Sequence, residues 1–371
     1  MKLFAACAPG LETVLLAELR RLGLGRALRI VGGVEFSGDL EDVQRINLWS
    51  RTASRLLVRV SEFHASSFHE LERRAKKAAW ERFIAPGGAA RFRVTCRKSK
   101  LYHSDAVAVR LARAAGVAQA ESAIAVDEPD EEVDDGGQLF VVRIANDICT
   151  ISADTSGQLL HRRGYRLAVA KAPLRETLAA AIIAGSGWDR SSPLVDPMCG
   201  SGTILIEAAL IARNIPPGIA RAFAFQRWPE FERKPWERML DDAREKIHAR
   251  APGRIIGSDR DDGAVKAAIE NAHRAGVASD VEITRRALSS ADYPTGEGWI
   301  VTNPPYGTRV GQSRDLRNLY AQLGQIVRNR GTEYRIAMLS ADKSLESELR
   351  LDFREIFRTT NGGIPVRLVV S

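Results

Sequence analysis

An alternation of strand-like and helix-like segments in residues 174–371 constrains the fold of this 371-residue chain more than any other feature. After a helical segment at 174–184, apolar runs of strand length alternate with segments of helical periodicity. The predicted order is a strand ending at Asp196, helix 203–214, strand 254–258, helix 262–275, and strands 281–284, 299–302 and 334–340. Because successive parallel strands need helical crossovers, this order predicts a doubly wound, Rossmann-like α/β domain with a mostly parallel, seven-stranded sheet. Segments 358–360 and 366–370 predict a terminal antiparallel hairpin.

The first 155 residues follow a different order. An amphipathic helix at 11–24 is followed by a hairpin that turns at Gly32-Gly33, and short helices and strands then mix. This pattern predicts an α+β region at 1–155. Within it, the acidic stretch Asp127–Asp135 is expected to form a solvated loop. Residues 156–173 are basic and short of large apolar side chains, so we expect a linker there.

Apolar and basic residues alternate strictly along one predicted strand of this region. Phe92, Val94 and Cys96 would face the core. The alternating basic residues are Arg91, Arg93 and Arg97, and the basic residues Lys98 and Lys100 follow directly. A solvated edge strand would show the same alternation. The formal net charge of +8 and the pI near 9.5 suit a polyanionic partner, so we favour an RNA-facing surface.

The composition also argues against several classes of protein. No run of about eighteen apolar residues occurs, so no membrane span is expected. The four cysteines form no CxxC pair, and we predict neither a metal site nor a disulfide framework. Reduced thiols are typical of the cytoplasm, which is the location that we expect. No feature indicates a further subunit, and we expect a monomer.

A glycine loop at 194–203 carries the first chemical motif, Leu-Val-Asp-Pro-Met-Cys-Gly-Ser-Gly-Thr. Its glycines would let the backbone approach a ligand, and the helix that follows offers free N–H groups. The loop lacks the Gly-Lys-Ser/Thr ending of a phosphate-binding P-loop and is not GxGxxG. Asp196, at the strand end, would direct a carboxylate toward a cationic or hydroxyl-bearing ligand. The zwitterionic amino-acid end of S-adenosylmethionine fits that carboxylate.

An acid at the end of the next predicted strand is the second motif. Asp259 ends Ile255-Ile256-Gly257-Ser258-Asp259 and could accept hydrogen bonds from both ribose hydroxyls of a nucleoside cofactor. Its distance from the glycine loop exceeds the usual spacing of about 20 residues, which an insertion after Ile215 explains. Asp259 could instead cap the helix that follows.

The most specific motif is Asn303-Pro304-Pro305-Tyr306-Gly307, directly after a predicted strand. An exocyclic base amine is a poor nucleophile, because its lone pair is delocalised into the ring. The Asn303 side-chain oxygen and the Pro304 carbonyl could accept its two hydrogens and localise that lone pair. Tyr306 could stack on a base extruded from its helix. A Pro-Pro turn with a buried aromatic is the structural alternative.

Five segments of the chain resemble the THUMP-domain RNA guanine-N2 methyltransferases, and within that family the enzymes of 23S ribosomal RNA. They are Arg163–Arg166, Ala172–Glu176, Asp196–Thr203, Ile206–Ala209 and Asn303–Gly307. The resemblance implies a THUMP domain at roughly 45–155 after a ferredoxin-like piece, and a class I methyltransferase domain at 174–371. It implies RNA as substrate, either 23S ribosomal RNA or tRNA, and S-adenosylmethionine as cofactor. It also implies one modification by this chain, where some relatives carry a second methyltransferase module.

The same resemblance assigns roles to individual residues. The cofactor would contact Asp196, Gly200, Ser201, Gly202 and Asp259, with Cys199 in the same loop. The target base would be held by Asn303, Pro304 and Tyr306, and RNA would also contact Arg162 and Arg163 in the linker. An acid expected to meet the cofactor adenine is missing: either Ala287 stands in its place, or Asp292 serves in a shifted register.

Three other functions are compatible with these motifs. DNA adenine methyltransferases and enzymes that methylate a protein glutamine also carry Asn-Pro-Pro-Tyr, and a non-catalytic RNA-assembly factor could retain the fold. The basic N-terminal half favours nucleic acid over protein, and its THUMP-like character favours RNA over DNA. An amine target needs no covalent adduct, so Cys199 is interpreted as a packing residue.

Overall fold

The computed structural model describes residues 1–117, 121–122, 137–166, 174–306 and 313–371. The predicted acidic loop at Asp127–Asp135, together with Ala172, Pro173 and Gly307 of the motifs, lies outside the described residues.

The N-terminal half forms one mixed sheet packed with helices. Its elements are β1 Lys2–Ala6, α1 Glu12–Arg21, β2 Leu28–Ile30, β3 Gly33–Ser37, α2 Leu40–Trp49, β4 Arg55–His64, α3 Phe68–Ala75, β5 Ala90–Arg97, α4 Ser104–Ala114, β6 Glu121–Ser122, β7 Gln138–Ala145 and β8 Ile148–Asp154. The described strands follow the order β2-β3-β1-β4-β8-β7-β5-β6. Strand β4 pairs with β1 on one side and β8 on the other, so this half has a continuous sheet.

The C-terminal half is doubly wound, as predicted. Its elements are α5 Glu176–Ser186, β9 Leu194–Asp196, α6 Thr203–Ala212, α7 Arg233–Glu245, β10 Ile255–Asp259, α8 Asp262–Arg274, β11 Val281–Arg285, β12 Gly298–Thr302, α9 Ser313–Asn329, β13 Tyr334–Ser340, α10 Lys343–Glu348, β14 Arg354–Asn361 and β15 Ile364–Val370. The described strands follow the order β11-β10-β9-β12-β13-β15-β14. Strands β9 to β13 are parallel and the β14–β15 hairpin is antiparallel, which confirms the predicted fold.

Three helices of this domain, α7, α9 and the short α10, were not predicted. Helix α7 lies in the insertion before β10 and buries only Trp236 and Ala243, so its apolar stripe is sparse. Helix α9 does carry a stripe of helical spacing, which could have been found in the sequence. Its buried members are Leu316, Tyr320, Leu323 and Val327.

The two halves share one apolar core, and Leu160 and Tyr165, from the described part of the segment between them, belong to it. Leu160 and Tyr165 of the predicted linker are each 3% exposed. The Arg163 guanidinium pairs with the carboxylate of Glu207 in α6 and donates to the Arg51 carbonyl at 2.6 Å. The prediction that Arg163 binds RNA is therefore wrong, because its side chain is buried and forms an ion pair within the protein. Arg162 is half-buried, and its role in RNA binding stays a prediction.

Arg163→Ala is expected to destabilise the protein by about 3–5 kcal/mol, because it leaves the buried Glu207 carboxylate without its cation. Denaturant unfolding measures this. The matched control, Arg162→Ala, should change stability by less than about 0.5 kcal/mol. Normal stability with weakened RNA binding in Arg163→Ala would restore the original interpretation.

Candidate active site

Three parallel strands end side by side at the carboxyl edge of the C-terminal sheet. Strand β9 lies between β10 and β12, and Gly257 of β10 is in register with Asp196 of β9. Asp196 and Asp259 are the last residues of their strands, and Asn303 directly follows β12. The sheet therefore brings all three polar groups to one edge, where ligands of open α/β sheets bind.

The glycine loop folds over this edge and is tied to β10. The Cys199 N–H donates to the Ser258 carbonyl and the Gly200 N–H donates to an Asp259 carboxylate oxygen, both at 3.0 Å. Gly202 has φ +80°, and a Cβ there would lie 3.0 Å from the Cβ of Ala268. A side chain at Gly202 would thus be strained by both the backbone and helix α8.

The carbonyl of Ser201 accepts a hydrogen bond at 3.0 Å from the Asn271 side chain of α8. The Asp259 carboxylate receives a second N–H from Asp261 at 3.0 Å. Asp261, and not Asp259, caps α8, since its side chain accepts from the Ala264 N–H. The helix-cap alternative for Asp259 is therefore wrong.

Asp196 is a buried carboxylate at the centre of the edge, with 2% of its surface exposed. One of its oxygens accepts from the Thr302 hydroxyl at 2.7 Å and from the Met198 N–H at 3.2 Å. Burial raises the pKa of Asp196 to about 7, and the nearby Asp259 carboxylate acts in the same direction. A bound cation would relieve this cost of burying a charge.

The Asn303 side chain carries the most informative polar atom of the site. Its Oδ1 is buried, and no donor reaches it from the part of the chain that the structure describes. A buried acceptor without a donor costs about 1–3 kcal/mol, so such an atom calls for an explanation. A donor brought by a ligand would satisfy it.

Pro304, Pro305 and Tyr306 complete the described part of the turn. Pro304 is buried, and the Pro305 carbonyl lies 3.4 Å from the hydroxyl of Tyr320 in α9. Tyr306 is half-buried, and its hydroxyl accepts a hydrogen bond from the side chain of Asn361 at 2.7 Å. Thr302 and Asn361 are site residues that the sequence interpretation missed. No local signal could reveal Asn361, which reaches Tyr306 from 55 positions along the chain.

Cys199 is packed between the loop and β10. It is 7% exposed, and a Cβ at Gly257 would lie 3.4 Å from its sulfur. Burial raises the pKa of the Cys199 thiol well above its usual value, with Asp196 and Asp259 adding to the effect. The thiol is therefore protonated near neutral pH and unsuited to nucleophilic attack, as its interpretation as a packing residue requires.

The prediction that Asp292 contacts the cofactor is wrong. Its carboxylate lies 2.9 Å from the Arg254 guanidinium, which also binds Glu282. Arg254 precedes the first residue of β10, so this cluster lies at the amino end of the strands, opposite the glycine loop. The segment after β11 does reach the carboxyl edge, where the Arg286 N–H donates to the Asp259 carbonyl at 3.0 Å. The next side chain is that of Ala287, which has no acceptor.

The predicted basic surface lies on the other sheet. Phe92 and Val94 are buried and Cys96 is half-buried, which confirms the inward face of β5. Strand β5 pairs with β7 along its whole length, and with the two-residue strand β6 only at Arg91 and Phe92. The cations of β5 and of the loop after it divide into two sets: Arg91 and Arg93 are half-buried, whereas Arg97, Lys98 and Lys100 are exposed.

The exposed cations follow a fixed loop. The Lys100 N–H donates to the Asp147 carboxylate at 2.7 Å, and the Asp147 N–H donates to the Ser99 hydroxyl at 3.0 Å. Tyr102 follows with 69% of its surface exposed, its ring centroid 4.1 Å from that of His103. Cations beside exposed rings suit a nucleic-acid strand.

Within the described ranges, no three His, Cys, Asp or Glu side chains are grouped as metal ligands would be. Among those same residues, every helix is too short or too polar to cross a bilayer.

Comparisons with known proteins agree with this geometry. Residues 163–369 match the family model described as RMKL-like, methyltransferase domain, and residues 2–57 match the RlmL ferredoxin-like domain. The chain is 34% identical to a putative RNA methyltransferase of Synechocystis, covering 99% of this chain and 95% of that protein. It is 36% identical to the ribosomal RNA large subunit methyltransferase K/L of Syntrophotalea carbinolica, covering 100% of this chain and 53% of that protein.

The chain thus spans about half the length of the K/L relatives that it matches. Among solved structures, it is similar to a putative methyltransferase, SMU.472, crystallised with SAH. The TM-score is 0.89 at 30% identity, covering 100% of this chain and 97% of that one.

Proposed function

Because the chain belongs to the RMKL-like methyltransferase family, we propose that it methylates N2 of a guanine in 23S ribosomal RNA, with S-adenosylmethionine as methyl donor. The family resemblance inferred from the sequence is confirmed by the matches. The names of the K/L relatives support ribosomal RNA as the substrate. An amine is proposed as the methylated group because the buried Asn303 side-chain oxygen has no hydrogen-bond donor among the described residues.

The carboxyl edge fits a cationic nucleoside cofactor. The buried Asp196 carboxylate lacks a cationic partner among the described residues, and its raised pKa reflects that environment. An ammonium group at Asp196 would supply the missing charge. The backbone of Gly200 to Gly202 would lie along the ligand, and Asp259 would accept from its ribose hydroxyls. Ala287 would adjoin the adenine without a carboxylate contact.

The chemistry needs positioning more than proton transfer. S-adenosylmethionine supplies a methyl group that is already activated on a sulfonium. Asn303 Oδ1 and the Pro304 carbonyl would each accept one hydrogen of the target amine, which turns its lone pair toward the donor. Tyr306 would stack on the extruded guanine and exclude water. Fixed alignment of the two reacting groups then supplies most of the rate enhancement.

The RNA would bind along the sheet of the N-terminal half, where we place a THUMP domain at roughly 45–155 in a cytoplasmic protein. Arg97, Lys98 and Lys100 would contact phosphates. Their sequence-independent contacts would position the substrate, whereas Asn303 and Tyr306 would recognise the base.

Replacing Arg97, Lys98 and Lys100 together with alanine should weaken RNA binding and flatten its salt dependence. Each lost phosphate contact lowers the slope of log K against log salt by about 0.7–0.9. Filter binding at several salt concentrations measures this, and the cofactor affinity should stay unchanged. A matched control removes the exposed cations Lys234, Arg238 and Lys246 from the other half. If both triple variants lost the same amount of RNA affinity, the effect would come from net charge alone and not from this surface.

The function as a whole is tested by nucleoside mass spectrometry of fractionated RNA from a strain that lacks the protein. We expect N2-methylguanosine to be lost from the 23S fraction. Loss from the tRNA fraction alone would change the substrate class, and unchanged levels in every fraction would defeat the proposal.

A further inference from the structure

The terminal hairpin places one polar side chain against the target-binding turn. Asn361, the last residue of β14, donates a hydrogen bond from Nδ2 to the Tyr306 hydroxyl at 2.7 Å. Both side chains are half-buried. Burial also raises the pKa of Tyr306, so its phenol remains protonated and neutral near neutral pH.

The position of Asn361 is set by a tight turn. Asn361 pairs with Ile364 across Gly362 and Gly363, whose φ angles are +56° and +80°. Two central residues with positive φ are typical of the type I′ turn, whose twist matches that of the strands it joins. Strand β15 in turn pairs with β13 over Arg367 to Val370. The amide is therefore presented from a hairpin that is itself paired to the sheet.

The N-terminal half braces the same hairpin. Gly10, with φ +90°, packs so closely on β14 that a Cβ there would lie 1.6 Å from the Arg358 carbonyl oxygen. The Glu12 carboxylate accepts a hydrogen bond from the Gly10 N–H at 2.8 Å. The contact lies three residues before Asn361, so the N-terminal half supports the strand that leads to Tyr306.

We propose that Asn361 is a positioning residue, which fixes the ring of Tyr306 in the orientation that stacks on the target base. The inference rests on the proposed function, since it needs a base at the turn from Asn303 to Tyr306. A stacking platform is effective only if its plane is set before the base arrives. Without Asn361, the Tyr306 ring is free to turn toward water with its hydroxyl.

A double-mutant cycle tests this role, with unmodified 23S ribosomal RNA transcript as substrate and saturating S-adenosylmethionine. Asn361→Ala and Tyr306→Phe are each expected to lower kcat/KM for RNA by about tenfold, the effect of one hydrogen bond. Since both remove the same bond, the double variant should be no slower than either single variant. The affinity for S-adenosylmethionine should be unchanged throughout. Thr360→Ala, an exposed neighbour in β14, is the matched control and should behave as wild type.

The outcomes separate the two proposals. Losses that multiply in the double variant, in an active wild-type background, overturn the role of Asn361 and leave the proposed function standing. A general loss of folding would appear as weaker cofactor binding and a lower unfolding midpoint, and would likewise count against a positioning role. A wild-type protein that binds the cofactor but methylates no RNA sinks both.

Discussion

Asn303→Ala is expected to lower kcat by about a hundred- to a thousandfold while cofactor binding survives. The Asn303 oxygen would contact the reacting amine, and loss of one such preorganised group from an active site has effects of this size. The cofactor contacts assigned to Asp196, Gly200 and Asp259 do not depend on that oxygen. Single-turnover methylation of 23S transcript gives the rate, and calorimetry gives the S-adenosylmethionine affinity.

Asn303→Asp is the informative companion variant. It keeps an acceptor oxygen at the same position, so it should retain more activity than Asn303→Ala despite the added charge. Near-normal turnover in Asn303→Ala would remove Asn303 from the mechanism. Loss of cofactor affinity in that variant would instead place the side chain in the cofactor pocket.

Asp196→Asn is expected to weaken S-adenosylmethionine binding by about a hundredfold or more. Removing one member of a buried charge pair costs this much, because the other charge is left unpaired. Asp292→Asn removes a carboxylate of the same domain that is already paired with Arg254, and should leave affinity unchanged. Calorimetry on both variants distinguishes the two acids, and a loss in Asp292→Asn would reverse its reassignment.

The pH dependence of the wild-type protein follows from the same group. Asp196 has a pKa of about 7 in the ligand-free protein, so a proton competes with the cationic ligand below that pH. Affinity should therefore fall about tenfold for each pH unit below 7. Asp196→Asn should abolish this dependence. A wild-type affinity that is flat between pH 5 and 8 would contradict the assignment.

Stability should change in the opposite sense. The folded protein holds the Asp196 proton more tightly than the unfolded chain, where the pKa is near 3.8. The stabilising contribution is full below that value and is lost as the pH rises through about 7. Ligand-free Asp196→Asn should thus be more stable than wild type at pH 8, by an amount on the order of a few kcal/mol. Melting curves at pH 6 and 8 measure the difference.

The sequence could predict the parts of the site that lie in local patterns. Asp196 and Asp259 end short apolar strands, the glycine loop and the turn at Asn303 follow such strands, and parallel strands bring these ends together. The sequence could not predict that Asn361 reaches Tyr306, because that contact depends on how the terminal hairpin packs.

The two corrected residues show the same limit. The basic segment around Arg163 predicts charge but not burial, and only the packing of α6 shows that Glu207 is its partner. The family resemblance offers Asp292 as the adenine contact only in a shifted register, with Ala287 as the alternative. The segment after β11 instead brings Asp292 to Arg254, at the amino end of the parallel strands.

The most direct test of the account is the identity of the methylated nucleoside. Unmodified 23S transcript incubated with the protein and S-adenosylmethionine, then digested for mass spectrometry, should contain N2-methylguanosine. The product should disappear with Asn303→Ala. N6-methyladenosine or a carbon-methylated pyrimidine as the product would contradict the claim that the Asn303 oxygen accepts a hydrogen bond from the amine of a guanine.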